Sequence, residues 1–274
     1  LEKSPLGKVY IYTDKYDKSL LFPIDRQLNR TELGIGEGNL PFIGFDIWNA
    51  FELSWLNKNG KPEIAICRFI IPCESDNLIE SKSFKLYLNS FNGSKFSSGE
   101  EVRLILQKDL SDITVSNVEI GMYMEKDIAD TQINMLNGDC LDELDVCCDT
   151  YSVNPDFLCL TGNSTIIEET VYSNLLKTNC PVTGQPDWGT VLIKYKGRQI
   201  SHEGLLKYIV SYRNHNGFHE HCAEQIFTDI INQCAPVNLT VYARYTRRGG
   251  LDINPIRTNG KTVRIPDMMR LFRQ

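Results

Sequence analysis

The chain writes one element order twice, and this duplication limits its fold more than any single motif does. Residues 44–56 and 63–71 are strand-like stretches joined across Asn57-Lys58-Asn59-Gly60, the composition of a tight hairpin turn. Beyond Pro72, residues 78–91 set Phe84, Leu88 and Phe91 at helical spacing, 99–109 carry a second helical pattern, and 113–124 read as a return strand. The second half follows suit: 165–177 and 188–195 are β-rich, 201–213 and 218–232 helical, 237–245 a strand. The paired helices correspond in position and share few identical residues, so the repeat is architectural. The expectation is an α+β chain of two modules with antiparallel sheets. Its bounds are an arm over 1–40, a first module over 41–135, an acidic linker over 136–156 and a second module over 157–274.

Composition narrows the function classes. With 274 residues, 42% of them apolar, the chain can bury a core, and its net charge of −6 speaks against a broad nucleic-acid footprint. No uncharged apolar run reaches the roughly 20 residues that span a bilayer. The first eight residues hold no signal-like apolar segment, and nine cysteines form an odd set, so the reading is a cytoplasmic protein with reduced thiols. From Arg244 onward the charge is +6 against −12 elsewhere, a local basic region suited to a phosphorylated small molecule, with its last residues read as a solvated tail. Gly34-Ile35-Gly36-Glu37-Gly38 is not a dinucleotide fingerprint, because no apolar strand precedes it and Pro41 follows where a helix should start.

The halves differ in chemistry. Asn179-Cys180-Pro181-Val182-Thr183-Gly184-Gln185-Pro186-Asp187-Trp188 sets a thiol and a carboxylate on a loop stiffened by two prolines. A thiol attacks an electrophilic carbon, and a carboxyl nearby can carry the proton that the addition requires. A neighbouring carboxylate disfavours a thiolate, which casts Asp187 as acid/base and not as an activator, with His219 as a second relay. His215, His219, His221, Cys222, Cys180 and the Cys147-Cys148 pair are metal-donor types, but Asn216-Gly217 breaks a helix between the histidines and no Cys-x-x-Cys occurs, so no metal is assigned. The acidic run with Asp142, Glu143, Asp145 and Asp149 matches no calcium loop and reads as a solvated linker. Glu220 suits either a helix N-terminus or a pair of hydrogen bonds to an amidine-like edge such as that of guanine. The first half has no counterpart of Cys180 or Asp187, so a shared site would lie at an interface between modules or subunits.

Glu80-Ser-Lys-Ser-Phe-Lys-Leu-Tyr87, Cys180-Pro-Val-Thr-Gly-Gln-Pro-Asp187 and Tyr212-Arg-Asn-His-Asn-Gly-Phe-His-Glu220 together resemble the NADPH-dependent 7-cyano-7-deazaguanine reductases, nitrile reductases of queuosine biosynthesis, in their long two-module form. The resemblance covers the chain from about residue 40 onward. It implies two tandem tunnelling-fold modules, a homodimer, NADPH as cofactor, and a small deazaguanine substrate with no direct nucleic acid or membrane partner. It also implies roles for residues. Cys180 would add to the nitrile carbon to give a thioimide while Asp187 protonates the nitrogen, aided by His219. Glu220, His219, Ile79, Glu80 and Ser81 would hold the base, and Ser81, Lys82, Arg248 and Gly249 would contact NADPH. Two other classes compete with this reading: another tunnelling-fold enzyme acting on a purine or pterin, and a purine-binding protein without catalysis.

Overall fold

Hairpins and their covering helices form where the sequence places them, but with sharper ends. The computed structural model describes residues 12–127, 133–266 and 268–274; the first eleven residues of the arm, five at the end of the first module and Asp267 of the basic region lie outside them. The chain divides into two compact units: Leu1–Asn29, Asp46–Thr131 and Arg247–Asp252 form one, and Arg30–Phe45, Gln132–Thr246 and Ile253–Gln274 the other. Among the described residues no helix is long and apolar enough to cross a membrane.

In the first unit, β1 (Pro23–Asp25) leads into α1 (Arg26–Glu32), which runs on along the chain into the second unit. β2 (Ile43–Leu56) and β3 (Pro62–Pro72) are joined by a turn in which the Asn57 N–H donates to the Lys61 carbonyl (2.9 Å) and Gly60 supplies φ +80°. β4 (Asn77–Ile79) pairs antiparallel with β1, and α2 (Ser81–Asn89), α3 (Gly99–Thr114) and β5 (Glu119–Tyr123) follow. The order in the unit's sheet is β5-β3-β2, with β5 antiparallel to β3 from Ile66↔Tyr123 to Ile70↔Glu119. Phe84 of α2 sets its ring edge-on against Trp48 (5.3 Å between centroids) and Phe69 (5.0 Å), which seats the helix on the sheet.

Two boundaries differ from the sequence reading, each for a local reason. The helix expected from residue 78 starts at Ser81, because residues 77–79 are committed to β4 and the Glu80 carboxylate caps the helix. The strand expected from 113 starts at Glu119, since α3 continues to Thr114 and stops at Val115 in the left-handed region (φ 55°). The described part of the arm is also packed rather than irregular. Tyr16 donates to Asp109 (2.6 Å) beside the donation from Tyr87 (2.7 Å), and its ring meets Phe91 edge-on at 5.1 Å.

In the second unit, β6 (Asp139–Cys140), β7 (Ile166–Asn179), β8 (Pro186–Arg198), α4 (His202–Ser211), α5 (His219–Cys234), β9 (Asn238–Tyr245) and β10 (Leu251–Thr258) follow in chain order, with β10 entered from the first unit. Their order in the sheet is β10-β9-β8-β7-β6, antiparallel except for β6 against β7. α5 buries Cys222, Ala223, Ile226, Phe227 and Ile230, an i, i+4 stripe that faces the core.

Two parts of the chain expected to be solvated are anchored on this unit, although Glu143, Asp145 and Asp149 stay exposed as expected. Leu141 of the acidic segment is buried, and Asp142 accepts from the Ser173 hydroxyl (2.6 Å), the Asn174 N–H (3.0 Å) and the Asn174 side-chain amide (2.9 Å). The basic region contains β10, and Arg244, Arg257, Leu271 and Gln274 are buried, so the last residues are not a solvated tail. Arg257 tolerates burial because Glu224 accepts from its Nε (3.1 Å) and Nη2 (2.8 Å). The same carboxylate accepts from Arg30 Nε (3.0 Å) and Nη2 (2.7 Å), and both guanidiniums lie over the ring of Phe42.

Removing that carboxylate strands two buried cations. Glu224→Gln is expected to lower unfolding stability in urea by about 3–5 kcal/mol. Glu168→Gln, at the exposed pair with Lys194, should change it by less than about 1 kcal/mol.

Candidate active site

β7 and β8 form a long hairpin whose tip is the cysteine loop, and one irregularity decides which side chains face inward there. The ladder runs in register from Ile166↔Arg198 to Ser173↔Val191, then shifts, so that Asn174 and Leu175 together oppose Thr190 before pairing resumes at Leu176↔Gly189. Because side chains alternate along a strand, one extra residue swaps the faces. Val171 and Ser173 are buried before the bulge, and Leu176, Thr178 and Cys180 after it. On β8 the buried set keeps one parity through Asp187, Gly189, Val191 and Ile193. With Thr178 opposite Asp187, the bulge brings Cys180 to the face that carries the carboxylate.

The loop is fastened at both ends. The Cys180 N–H donates to the Gln185 carbonyl (2.9 Å) and the Gly184 N–H to the Cys180 carbonyl (3.0 Å), with Gly184 at φ 65°. The Asn179 N–H donates to the His215 carbonyl (2.8 Å), and the Gly217 N–H returns to the Asn179 carbonyl (3.1 Å). These two bonds tie the loop to the segment that starts α5. His219 is the first residue of that helix and Glu220 the second, as expected from the break at Asn216-Gly217.

Cys180, Asp187 and Glu220 are buried to 6%, 7% and 4% of their full exposure. The His219 Nε2 lies 3.4 Å from Asp187 Oδ2, so an imidazole and a carboxylate meet beside the loop. The neighbouring histidines differ: burial pushes the imidazoles of both His215 and His221 below their ordinary value, and their rings stack at 6.3 Å. Those two are neutral core groups at pH 7. Cys222 is inert for a related reason. Its complete burial, reinforced by the nearby Glu220 and Asp187 charges, pushes its thiol up to about 12 despite Tyr245 and Thr178 alongside.

Glu80, Ile79, Ser81, Lys82, Arg248 and Gly249 all lie in the first unit. Glu80 is fully buried and accepts from the N–H groups of Lys82 (2.8 Å) and Ser83 (2.7 Å); burial raises its carboxyl while these amides oppose the shift. The Arg248 N–H donates to the Leu251 carbonyl (2.9 Å) across a turn with Gly249 at φ 63° and Gly250 at φ 75°. A Cβ on Gly249 would come within 2.5 Å of Lys85 Nζ, so the turn rests against α2. Lys85 also reaches Glu52 (3.7 Å), and the Arg247 guanidinium lies 4.3 Å from the centre of the Phe51 ring. Four cationic residues, a glycine turn and a helix start thus lie within one unit, and cationic groups with a helix start suit a phosphate-bearing cofactor such as NADPH. Lys85 stands inside the motif quoted for the resemblance, yet only the fold shows that it meets Gly249. Tyr245, which contacts His219, carries no sequence signal beyond its place at a strand end.

A thiol and a carboxylate thus share the tip of one hairpin, with the His219 imidazole at the start of α5 beside the carboxylate, and a cation-rich glycine turn lies in the first unit. Residues 12–122 match the family model described as nitrile reductase, 7-cyano-7-deazaguanine-reductase N-term, and residues 186–264 that of a QueF-like protein. Proteins named NADPH-dependent 7-cyano-7-deazaguanine reductase are 55% identical in Cupriavidus taiwanensis, and 54% in Burkholderia multivorans and Paraburkholderia xenovorans, covering 100% of this chain and 99% of each relative. A solved apo archaeosine synthase QueF-like chain is 18% identical, with a TM-score of 0.31 over 37% of this chain and 100% of its own. The chain belongs to the family of NADPH-dependent 7-cyano-7-deazaguanine reductases. That makes it an NADPH-dependent oxidoreductase, and the α+β, two-module reading holds.

The buried thiol gives a test of the site's electrostatics. A group raised in the folded state binds more protons there than in the unfolded chain, so its contribution is lost as pH rises from about 9 towards about 12. Cys222→Ala should flatten the alkaline fall of stability over that range, measured by urea unfolding at a series of pH values.

Proposed function

We propose that the chain reduces the nitrile of 7-cyano-7-deazaguanine to the aminomethyl group, with Cys180 as nucleophile. What carries the reading is the hairpin tip: Cys180 shares a buried face with Asp187, and His219 stands 3.4 Å from that carboxylate. The Cys180 sulfur bonds to the nitrile carbon, one π bond of the nitrile opens, and the thiol proton passes through Asp187 to the nitrogen, giving a neutral thioimide. His219 relays the further protons that the nitrogen takes up as it becomes an amine. When the carbon–sulfur bond breaks, Cys180 leaves as thiolate and regains a proton from the same pair.

Nitrile to primary amine takes four electrons, and NADPH, when bound, supplies two at a time as hydride, so two molecules are consumed. Lys82, Lys85, Arg248 and the Gly249 turn, with Ser81, are the residues that would hold it. Glu220 accepts from the ring N–H and exocyclic amine of the base; its burial in the first turn of α5 supports a role that a surface cap would not need. Ile79, Glu80 and Ser81 complete the base-binding set. The product fits a place in queuosine tRNA modification, with the chain acting as a homodimer on the free base. Its net charge of −6 supports the absence of direct nucleic-acid binding, and nine free cysteines support a cytoplasmic setting.

Intact-protein mass spectrometry with the cyano substrate and no NADPH tests the core of this reading. The expected result is a gain of one substrate mass per chain, lost in Cys180→Ala; turnover retained by Cys180→Ala would remove it as nucleophile. Asp187→Asn should slow adduct formation, followed by the absorbance of the thioimide. Glu220→Leu should weaken substrate binding by a few kcal/mol in calorimetry, since the base's donors are left unpaired.

A further inference from the structure

His219 has an unusual support. An imidazole that moves protons is commonly oriented by a hydrogen bond to its second nitrogen. Here Nε2 faces Asp187, while Nδ1 is buried with no hydrogen-bond partner among the described residues. What the ring rests on instead is Tyr245, stacked face to face at 3.8 Å between centroids and 16° between planes.

Tyr245 is itself held from three sides. It ends β9 opposite Gly189, and a Cβ on Gly189 would lie 3.2 Å from the Tyr245 ring, so the glycine makes room for it. Its carbonyl accepts from the Gln274 side-chain amide (2.9 Å), whose nitrogen also donates to Asn254 (2.8 Å). Its hydroxyl is buried beside Cys222 and Thr178 without an aligned hydrogen bond.

We propose that Tyr245 is a positioning residue for the reaction, its ring face fixing the orientation in which His219 meets Asp187. The proposal rests on His219 acting in proton transfer. A flat support resists tilting of the imidazole but makes no demand on which nitrogen carries the proton, which suits a group that receives and releases protons in one cycle.

The test compares Tyr245→Phe with Tyr245→Leu, using steady-state kinetics and 15N spectra of labelled histidine. Displacing a catalytic group by about 1 Å can cost on the order of 100-fold in rate, so Tyr245→Leu should lower kcat between about 10- and 100-fold while KM stays within about twofold. Its His219 ring signals should move as the imidazole tilts. Tyr245→Phe, which keeps the ring, should restore both towards the parent protein. If Tyr245→Leu does not fold, Gly189→Ala presses a methyl group against the ring and should shift the same signals with a smaller loss of kcat. Unchanged kcat or unchanged His219 signals in the folded variant overturn the proposal, as does Tyr245→Phe behaving like Tyr245→Leu. His219→Ala separates the two claims: full turnover without the imidazole would sink its catalytic role, whereas the ring signals report independently on whether Tyr245 holds it.

Discussion

The second unit is built around one carboxylate. Glu224 takes four hydrogen bonds from Arg30 and Arg257, residues far apart in the chain, and each of the three would be costly to bury alone. Packed against Phe42, which in turn meets Phe227 of α5 edge-on, the cluster fixes α5 one helical turn below Glu220. A helix bearing an ionisable group at its buried start needs such an anchor. Otherwise the solvation lost by Glu220 would favour withdrawal of the helix end towards water. The clamp also explains why the segment before β2 cannot be a loose arm throughout, because Arg30 must reach the core of the unit that the rest of α5 builds.

Much of this was legible in the sequence, and the reasons it stopped being legible are physical. Hairpin turns and helical stripes are local, so β2, β3, α2, α5 and the cysteine loop were placed within a few residues. Cys180, Asp187 and His219 could be gathered because each lies in a turn-rich or helix-starting context that keeps side chains near a surface. Arg257 was counted in a basic region suited to a phosphorylated small molecule, because a charge can be given to a buried pair only once its partner is known, and the partner stands 33 residues earlier on a different element. Asp142 was misread for the same reason: its acceptors look like a solvated linker until Ser173 and Asn174 come to meet them. Tyr245 is the hardest case. An aromatic at a strand end is ordinary, and only the stack with His219 gives it meaning.

Charge is distributed so that the site's neighbours stay out of the chemistry. Cys222, His215 and His221 are all shifted by burial towards their neutral forms. Groups held neutral beside the loop weaken competing proton routes, because charges in a buried environment interact strongly.

The bulge at Asn174 and Leu175 has an evolutionary consequence. Which face receives Cys180 depends on whether an odd or an even number of residues separates it from the regular ladder, since each step along β7 turns the side chain through half a revolution. Length changes in this strand are therefore tolerable in twos and not in ones. A single insertion would present Asn179 where the thiol belongs, and a single deletion Pro181. The reactive atom's address is kept by parity, and Asp142, Thr190 and Arg273, which bind Ser173 and Asn174, keep the count.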